Sequence, residues 1–224
     1  MKKYKLTTET LQFAGRTLHR IKAVKDFDSI KAGEFGGWIE NEKNLSQDDN
    51  AWIYGDAMVF DNAEVYDNAK VYGNANVSGN ANVSGNAKVY GIANVFGNAN
   101  VFGYAEVYDN AKVYGNANVS GNAEVSGYAE VYDNAKVYGN AAIKGDAKVH
   151  DAVDYIVFKN FWSSGRYFTW TSSNNKWSVG CFYGTSEELI KKAYADSEKS
   201  GREYERVVRY VESILADEKK EKSN

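Results

Sequence analysis

The sequence Val71-Tyr72-Gly73-Asn74-Ala75-Asn76 is one copy of a six-residue unit that repeats from Ile53 to Val149. Within this stretch an aliphatic residue, almost always valine, occurs at every sixth position, seventeen times without an insertion or a deletion. A short fixed period is typical of a solenoid, in which each unit buries its apolar face against its neighbours. The repeat therefore decides the fold of almost half of the chain.

Each six-residue unit predicts one short strand and one corner. Ala75 and Val77 are two residues apart, so in an extended chain their side chains point to the same side, and Asn76 points to the other. Gly79 and the residue after it tolerate left-handed backbone conformations, so the chain can turn there. An α-helix is excluded because six residues advance it by about 600°, which would scatter the valines around its axis.

Three such strands per turn predict a triangular coil of about eighteen residues, with coils stacked roughly 4.8 Å apart. Seventeen units then make nearly six coils. The valines fill the interior beside alanines, which are small enough for tight corners.

This pattern, with Val at one position and Ala four positions later, resembles the hexapeptide repeat of left-handed β-helix proteins. The resemblance implies a mainly β fold: a single-stranded left-handed parallel β-helix of about six triangular coils. The chain departs from the family directly after the aliphatic residue, where the family favours a small residue and this repeat has Tyr, Phe or Ser. The left hand of the coil therefore comes from the resemblance and not from the spacing.

Residues 1–46 are predicted to form an N-terminal β cap, because a stack of coils ends in an unpaired strand edge that has to be covered. A strand at Leu11-Gln12-Phe13, a turn and a second strand from Thr17 to Val24 fit this role. The repeat β-helix is assigned to residues 47–153. Ile39 and Leu45 are also six residues apart, which allows the coil to begin there with an irregularity at 47–50.

Residues 154–217 are predicted to form a small β-β-β-α-α unit. Thr185 and Glu188 have the spacing of a capping box at the start of its first helix, and Gly201 is expected to end that helix. A charged tail, residues 218–224, completes the assignment. The three strands are expected over 155–161, 166–171 and 176–182.

The composition bounds the classes of function. The chain has no proline, a single cysteine and a formal net charge of −3. Residues 47–154 carry fourteen acidic and six basic side chains, so the coil is acidic and direct nucleic-acid binding is not expected. The apolar runs are too short for a membrane span, and Lys2-Lys3-Tyr4-Lys5 is not followed by the core of a signal peptide. We expect a location in the cytoplasm of a bacterial host.

Two groups of residues are candidates for binding a protein partner. Positions eighteen apart stack on one face of the coil, so one column of tyrosines either stabilises the sheet by lateral packing or forms an interface. In the C-terminal unit, two tryptophans beside two basic residues belong either to the core or to a binding face. The members of the two groups are Tyr54, Tyr72, Tyr90 and Tyr108, and Arg166, Trp170, Lys176 and Trp177.

No catalytic residue, metal ligand or cofactor is predicted. The resemblance implies two kinds of enzyme, acyltransferases and zinc carbonic anhydrases. The acyltransferases use a histidine between subunits and a loop extruded from the coil, and this repeat contains no such loop. A carbonic anhydrase site needs three histidines, and the chain has only His19 and His150.

The chain also resembles uncharacterised phage and prophage proteins in Gly36-Gly37-Trp38-Ile39-Glu40, in Asn44-Leu45-Ser46-Gln47 and in the stretch from Gly180 to Glu188. This resemblance implies a non-catalytic scaffold, whose end domains or tyrosine column bind a protein partner such as a host factor. A hexapeptide-type acyltransferase and an acidic decoy that mimics nucleic acid are the alternatives. Resemblance to left-handed β-helices further implies a homotrimer.

Overall fold

The computed structural model describes residues 2–221. The chain divides into two compact units, of which the first ends at Asp154 and the second begins at Tyr155. The last three residues of the predicted charged tail lie outside the described residues.

The first unit contains the repeat, which forms very short strands. Seventeen two-residue strands, β4 to β20, end at the successive aliphatic positions. They are Trp52–Ile53, Met58–Val59, Glu64–Val65, Lys70–Val71, Asn76–Val77, Asn82–Val83, Lys88–Val89, Asn94–Val95, Asn100–Val101, Glu106–Val107, Lys112–Val113, Asn118–Val119, Glu124–Val125, Glu130–Val131, Lys136–Val137, Ala142–Ile143 and Lys148–Val149.

These strands pair in parallel with the strands eighteen residues before and after them, as Val77 does with Val95. The repeat strands fall into three parallel ladders, one of which forms the larger part of a nine-stranded sheet, while the other two are sheets of six and five strands. The fold is therefore a parallel β-solenoid of about six coils, and the mainly β prediction is confirmed. The hand of the coil stays a prediction from the resemblance.

The interior of the solenoid is built from the two inward positions of the repeat. The aliphatic residues from Val59 to Val149 and the alanines from Ala57 to Ala147 are 0 % exposed. Burying each valine stabilises the fold by roughly 1.5–3 kcal/mol before conformational entropy is counted. At the corners, Gly73 has a φ of +72°, and a β-carbon there would lie 2.9 Å from the carbonyl oxygen of Gly91 in the next coil. The corner therefore needs a residue that accepts both the conformation and the close approach.

The N-terminal segment extends one sheet of the solenoid. Strands β1 (Tyr4–Phe13) and β2 (Arg16–Ala23) form an antiparallel hairpin, and β2 pairs with β3 (Phe35–Ile39). Strand β3 then pairs in parallel with β5 of the repeat. The hairpin predicted around the Ala14-Gly15 turn is present, with a first strand longer than expected.

The first coil begins at Ile39, as its spacing from Leu45 allowed. Ile39 lies opposite Val59, and Leu45 lies opposite Val65, so each pair is separated by twenty residues and not by eighteen. The two extra residues fall in the irregularity predicted at 47–50, after a 3-10 turn at Glu42–Asn44.

The buried side chain of Lys3 satisfies the backbone of this insertion. Its Nζ donates to the carbonyl oxygens of Asp48, at 3.0 Å, and Ala51, at 2.9 Å. Burial lowers the pKa of Lys3 to about 8. The ammonium group thus satisfies two backbone carbonyl oxygens of the irregular segment, and this requires that the charged group lose its hydration.

The second unit is an antiparallel four-stranded sheet followed by two helices. The strands, in spatial order, are β21 (Tyr155–Lys159), β22 (Tyr167–Thr171), β23 (Lys176–Val179) and β24 (Phe182–Gly184). The prediction of three strands was wrong at its third member. Gly180, with a φ of +58°, turns the chain inside that segment, so Phe182–Gly184 folds back as a fourth strand.

The helices are α1 (Ser186–Asp196) and α2 (Glu198–Glu221). The predicted capping box is confirmed, since Thr185 and Glu188 bond reciprocally at the start of α1. The prediction that Gly201 ends this helix was wrong, because the break is at Ser197, which has an extended backbone. Gly201 lies inside α2, where a β-carbon would overlap the ring of Tyr194.

The core of this unit combines one face of the sheet with one face of each helix. In the described part of the chain, neither helix has both the length and the apolar character needed to cross a bilayer. The buried core residues are Phe168, Trp170, Trp177, Val179, Leu189, Ala193, Tyr204, Val208 and Val211.

Candidate functional site

The predicted tyrosine column is present on the solenoid. The ring centroids of Tyr72 and Tyr90 are 4.7 Å apart, those of Tyr90 and Tyr108 are 4.9 Å apart, and both pairs are within 4° of parallel. Tyr54 meets Tyr72 edge to face at 6.4 Å. The eighteen-residue spacing therefore brings all four together, and their role as an interface stays a prediction.

The stacking of the rings limits the aromatic surface that a partner can contact on this column. Its inner rings cover each other's faces, so only their edges are available. The hydroxyl of Tyr90 donates to Glu106 at 3.0 Å, and that of Tyr108 donates to Glu124 at 3.4 Å. Burial, together with the bond to Glu106, raises the pKa of Tyr90. The column thus packs laterally, and the hydroxyl groups of Tyr90 and Tyr108 are bonded to carboxylates of the same sheet.

A second aromatic column, which sequence reasoning missed, lies on another face. Phe96 stacks on Tyr114 at 4.9 Å, Tyr114 on Tyr132 at 5.2 Å, and Tyr132 meets His150 at 5.7 Å. Burial and a bond to Glu130 raise the pKa of Tyr114 to about 12. The same eighteen-residue spacing at positions 96, 114, 132 and 150 was the signal that could have predicted it.

His150, at the last repeat, is paired with a carboxylate. Its Nδ1 lies 3.5 Å from Oδ2 of Asp154, an oxygen that also accepts from the backbone N–H of His150 and of Asp151. A carboxylate beside Nδ1 orients the imidazole ring, as it does in histidines that act as general bases through Nε2. Within residues 2–221, no group of three or more His, Cys, Asp or Glu side chains is arranged to hold a metal ion.

The two candidate tryptophans of the C-terminal unit are core residues. Trp170 is 3 % exposed and Trp177 is 1 % exposed. Their indole N–H groups donate to Oδ1 of Asn175, at 2.9 Å, and to Oγ of Ser186, at 3.1 Å. Their rings are therefore buried and cannot contact a partner in this fold. The two tryptophans are not part of a binding surface.

The two basic candidates are separate from those rings. Nζ of Lys176 lies 5.0 Å from the centroid of the Tyr183 ring, within the range of a cation–π contact. Arg166 is exposed and its side chain runs beside Gly180. The structure therefore places Trp170 opposite Trp177 on neighbouring strands, with both rings buried, and the four predicted residues do not form one exposed site.

A different pair of aromatic residues is exposed on this unit. Phe161 is 72 % exposed and Trp162 is 62 % exposed, and their rings meet edge to face at 6.2 Å. Sequence reasoning assigned Phe161 to a strand and did not single out Trp162. The Ser163-Ser164-Gly165 turn was the available signal, because it places the two residues before it in a loop.

The loop that carries this pair is held by a buried asparagine. Oδ1 of Asn160, which is 1 % exposed, accepts from the backbone N–H of Trp162 at 2.9 Å and from that of Ser163 at 3.1 Å. The backbone N–H of Asn160 donates to the carbonyl of Arg166 at 2.9 Å, which closes the loop. Two bulky aromatic side chains are thus exposed on a backbone that is already fixed.

An apolar pocket of about 420 Å³ adjoins Trp162. Phe158, Val207 and Tyr210 provide its apolar lining, and Glu203 and Arg206 are its charged members. The rings of Phe158 and Tyr210 meet edge to face at 5.8 Å. The pocket and the exposed pair form one surface, which we call the Trp162 surface.

Comparison with known proteins gives one partial similarity. No protein-family model matches the chain. A stretch of 62 residues is 39 % identical to a protein of Escherichia coli K12 named as an uncharacterized acetyltransferase, YdcK. The match covers 24 % of this chain and 19 % of that protein, so the chain spans about a fifth of the length of the relative. The similarity agrees with a hexapeptide-repeat fold.

Proposed function

We propose that this protein is a non-catalytic binding protein, in which the solenoid is a rigid scaffold and the C-terminal unit binds a protein partner. The observation that carries the proposal is the Trp162 surface. Large exposed aromatic residues beside an apolar pocket are typical of protein interfaces and are uncommon elsewhere on a soluble protein.

The fixed backbone of the loop favours tight binding. Tryptophan is among the residues that most often dominate interface energies, with losses of about 2 kcal/mol or more on truncation. Because Asn160 already orders the loop, less conformational entropy is lost when a partner orders it further. We expect Trp162 to be the central contact.

The rim of this surface is polar and carries both signs of charge. Nζ of Lys159 lies 5.2 Å from the Phe161 ring centroid. On α2, Arg206 pairs with Glu203 at 2.7 Å, and Arg209 pairs with Glu212 at 2.8 Å. An apolar centre within a polar rim is the ordinary arrangement of a protein–protein interface.

Affinity capture from host lysate tests the proposal, since the resemblance to phage proteins implies a host factor as partner. The double variant Phe161→Ser, Trp162→Ser should lose captured proteins that the wild type retains. A matched control, Tyr128→Ser, Tyr138→Ser, removes two exposed aromatic residues of the solenoid and should retain them. Equal capture by the two double variants, or no specific capture by the wild type, would count against the proposal.

A second candidate is an acyltransferase. It is favoured by the partial similarity to YdcK and by the His150–Asp154 pair, whose geometry suits a general base. Calorimetry with acetyl-coenzyme A tests it: saturable binding, with acetyl transfer that is lost in His150→Gln, would replace the first proposal by this one. The predicted homotrimer and the acidic decoy remain expectations, and light scattering tests the first of these.

A further inference from the structure

A polar groove of about 590 Å³ lies along the solenoid. One wall is a corner column that includes Asn86, Tyr104 and Asn122, and the other is formed by outward side chains of the six-stranded sheet, including Lys88 and Glu106. The groove extends over four coil steps from Asn50, so it is about 19 Å long at the usual strand spacing. Its volume is within the range of small-molecule sites.

The corner column of this groove contains asparagines that do not form a continuous amide ladder. At a different corner of the solenoid, five asparagines are joined by successive side-chain hydrogen bonds of 3.0, 2.9, 3.0 and 3.2 Å. The groove column begins in the same way, since Asn50 donates to Asn68 at 2.9 Å. Asn68 and Asn86 are not joined by such a bond, and Tyr104 takes the next position of the column. The uninterrupted ladder consists of Asn62, Asn80, Asn98, Asn116 and Asn134.

Asparagines of this column leave hydrogen-bonding groups unused inside the groove. In the described part of the chain, the amides of Asn86 and Asn122 make no hydrogen bond to a protein group, although one lies a coil before Tyr104 and the other a coil after it. The Tyr104 ring is 64 % exposed. The groove thus offers an open ring face between two free amides, each about 4.8 Å away along the column.

The charges of the groove do not favour an ionic ligand. Lys70 pairs with Asp28 at 2.9 Å, and Lys88 pairs with Glu106 at 2.8 Å. Its charged lining residues are two lysines and three carboxylates, so their formal sum is −1. A phosphate or sulfate would meet no net positive charge, and a neutral ligand rich in hydroxyl groups fits better.

We propose that this groove binds a neutral oligosaccharide along the axis of the coil. A sugar ring has an apolar face of C–H groups and a rim of hydroxyls. The apolar face packs on the ring of Tyr104, and the hydroxyls bond to the amides of Asn86 and Asn122. This site is independent of the Trp162 surface, so either proposal can fail alone.

Calorimetry with cellotetraose, maltotetraose and chitotetraose tests the proposal on the full chain. We expect saturable binding of at least one. Tyr104→Phe keeps the ring and should retain the affinity, whereas Tyr104→Asn should weaken it about tenfold, the scale of one aromatic packing contact. Tyr104→Asn places an asparagine where the coils before and after Tyr104 already have one, so it should fold, as a thermal melt will show. Tyr138→Asn, on another face, is the matched control and should bind as the wild type does.

Nuclear magnetic resonance locates the site. The side-chain amide signals of Asn86 and Asn122 should shift on addition of the tetrasaccharide that binds. Those of Asn98, in the uninterrupted ladder, should not shift. Failure of all three tetrasaccharides to bind, or binding that Tyr104→Asn leaves intact, would overturn the proposal. Tighter binding of a sulfated heparin tetrasaccharide would also overturn it, because the groove would then select anions.

Discussion

The side chain of Asp67 accepts a hydrogen bond from the backbone N–H of Gly85, one coil later, with Oδ2 at 2.9 Å from the nitrogen. Asp61 makes the same bond to Gly79 at 3.1 Å. These aspartates have the positive φ of the corner glycines that they replace, 57° at Asp67 and 59° at Asp61. A side chain at the corner crowds the next coil, and the carboxylate offsets this by bonding to it. This relationship explains why the corner residue of the repeat is either Gly or Asp.

The geometry of the corner predicts that three substitutions in one corner column change the free energy of unfolding by different amounts. In Gly121→Ala the new β-carbon would lie 2.9 Å from the backbone nitrogen of Gly139, so we expect a loss of about 1–3 kcal/mol. Gly139 has the same φ of +70° but no atom within 4 Å of that position, so Gly139→Ala should cost only the conformational penalty of about 1 kcal/mol. Gly121→Asp should be less destabilising than Gly121→Ala, because the carboxylate gains a bond.

Urea unfolding of the three variants measures these differences. Equal losses for Gly121→Ala and Gly139→Ala would show that the left-handed conformation, and not the approach of the next coil, decides the corner residue.

The uninterrupted amide ladder predicts that replacing one asparagine by aspartate changes the stability of the fold in a pH-dependent way. Asn98 accepts from Asn80 at 2.9 Å and donates to Asn116 at 3.0 Å. In Asn98→Asp the ionised carboxylate can still accept but cannot donate, so we expect a loss of about 0.5–1.5 kcal/mol at neutral pH. The loss should shrink at acid pH, where the protonated carboxyl can donate again. Asn110→Asp, between Ile92 and Tyr128 in a column without a ladder, should change the melting temperature less at both pH values.

The buried ammonium of Lys3 predicts a rise in stability with pH. Burial lowers its pKa to about 8 from an ordinary value of 10.5. Above pH 8 the folded chain therefore binds fewer protons than the unfolded chain, and the free energy of unfolding increases with pH. Burial raises the pKa of Tyr4, which lowers stability once unfolded tyrosine ionises above pH 10. The rise should thus be confined to about pH 8 to 10.

Urea unfolding across this pH range measures how the free energy of unfolding rises with pH. This rise should disappear in Lys3→Met and persist in Lys5→Met, whose lysine is exposed. A slope that survives the first substitution would mean that another group is responsible.

Gly201 predicts a reversal of the usual helix propensity. In an ordinary helix interior, Gly→Ala stabilises by about 1 kcal/mol. Here the added β-carbon would overlap the ring of Tyr194 on the neighbouring helix, so Gly201→Ala should destabilise the C-terminal unit by about 1–3 kcal/mol. Lys199→Ala, at an exposed position nearby in α2, is the control and should be neutral or stabilising. The double variant Tyr194→Leu, Gly201→Ala should recover part of the loss, since leucine can adapt where the tyrosine ring cannot.

The sequence by itself determined the solenoid. A valine at every sixth position and a Gly or Asp at every corner repeat the same local geometry, so one unit determines the strand, the turn and the eighteen-residue neighbour of every other unit. For the same reason, the column of Tyr54, Tyr72, Tyr90 and Tyr108 and the start of the coil at Ile39 followed from counting alone.

Only the tertiary structure decided which side chains can contact a partner or a ligand. The C-terminal unit has no repeat, so the burial of Trp170 and Trp177 and the exposure of Trp162 depend on contacts between distant strands and helices. On the solenoid, the sequence did not distinguish Tyr104 from other outward residues, and only the structure showed its exposed ring between two unpaired amides. Periodicity specifies where a residue lies, whereas the hydrogen bonds and ring faces that remain unused depend on what its neighbours in three dimensions have already occupied.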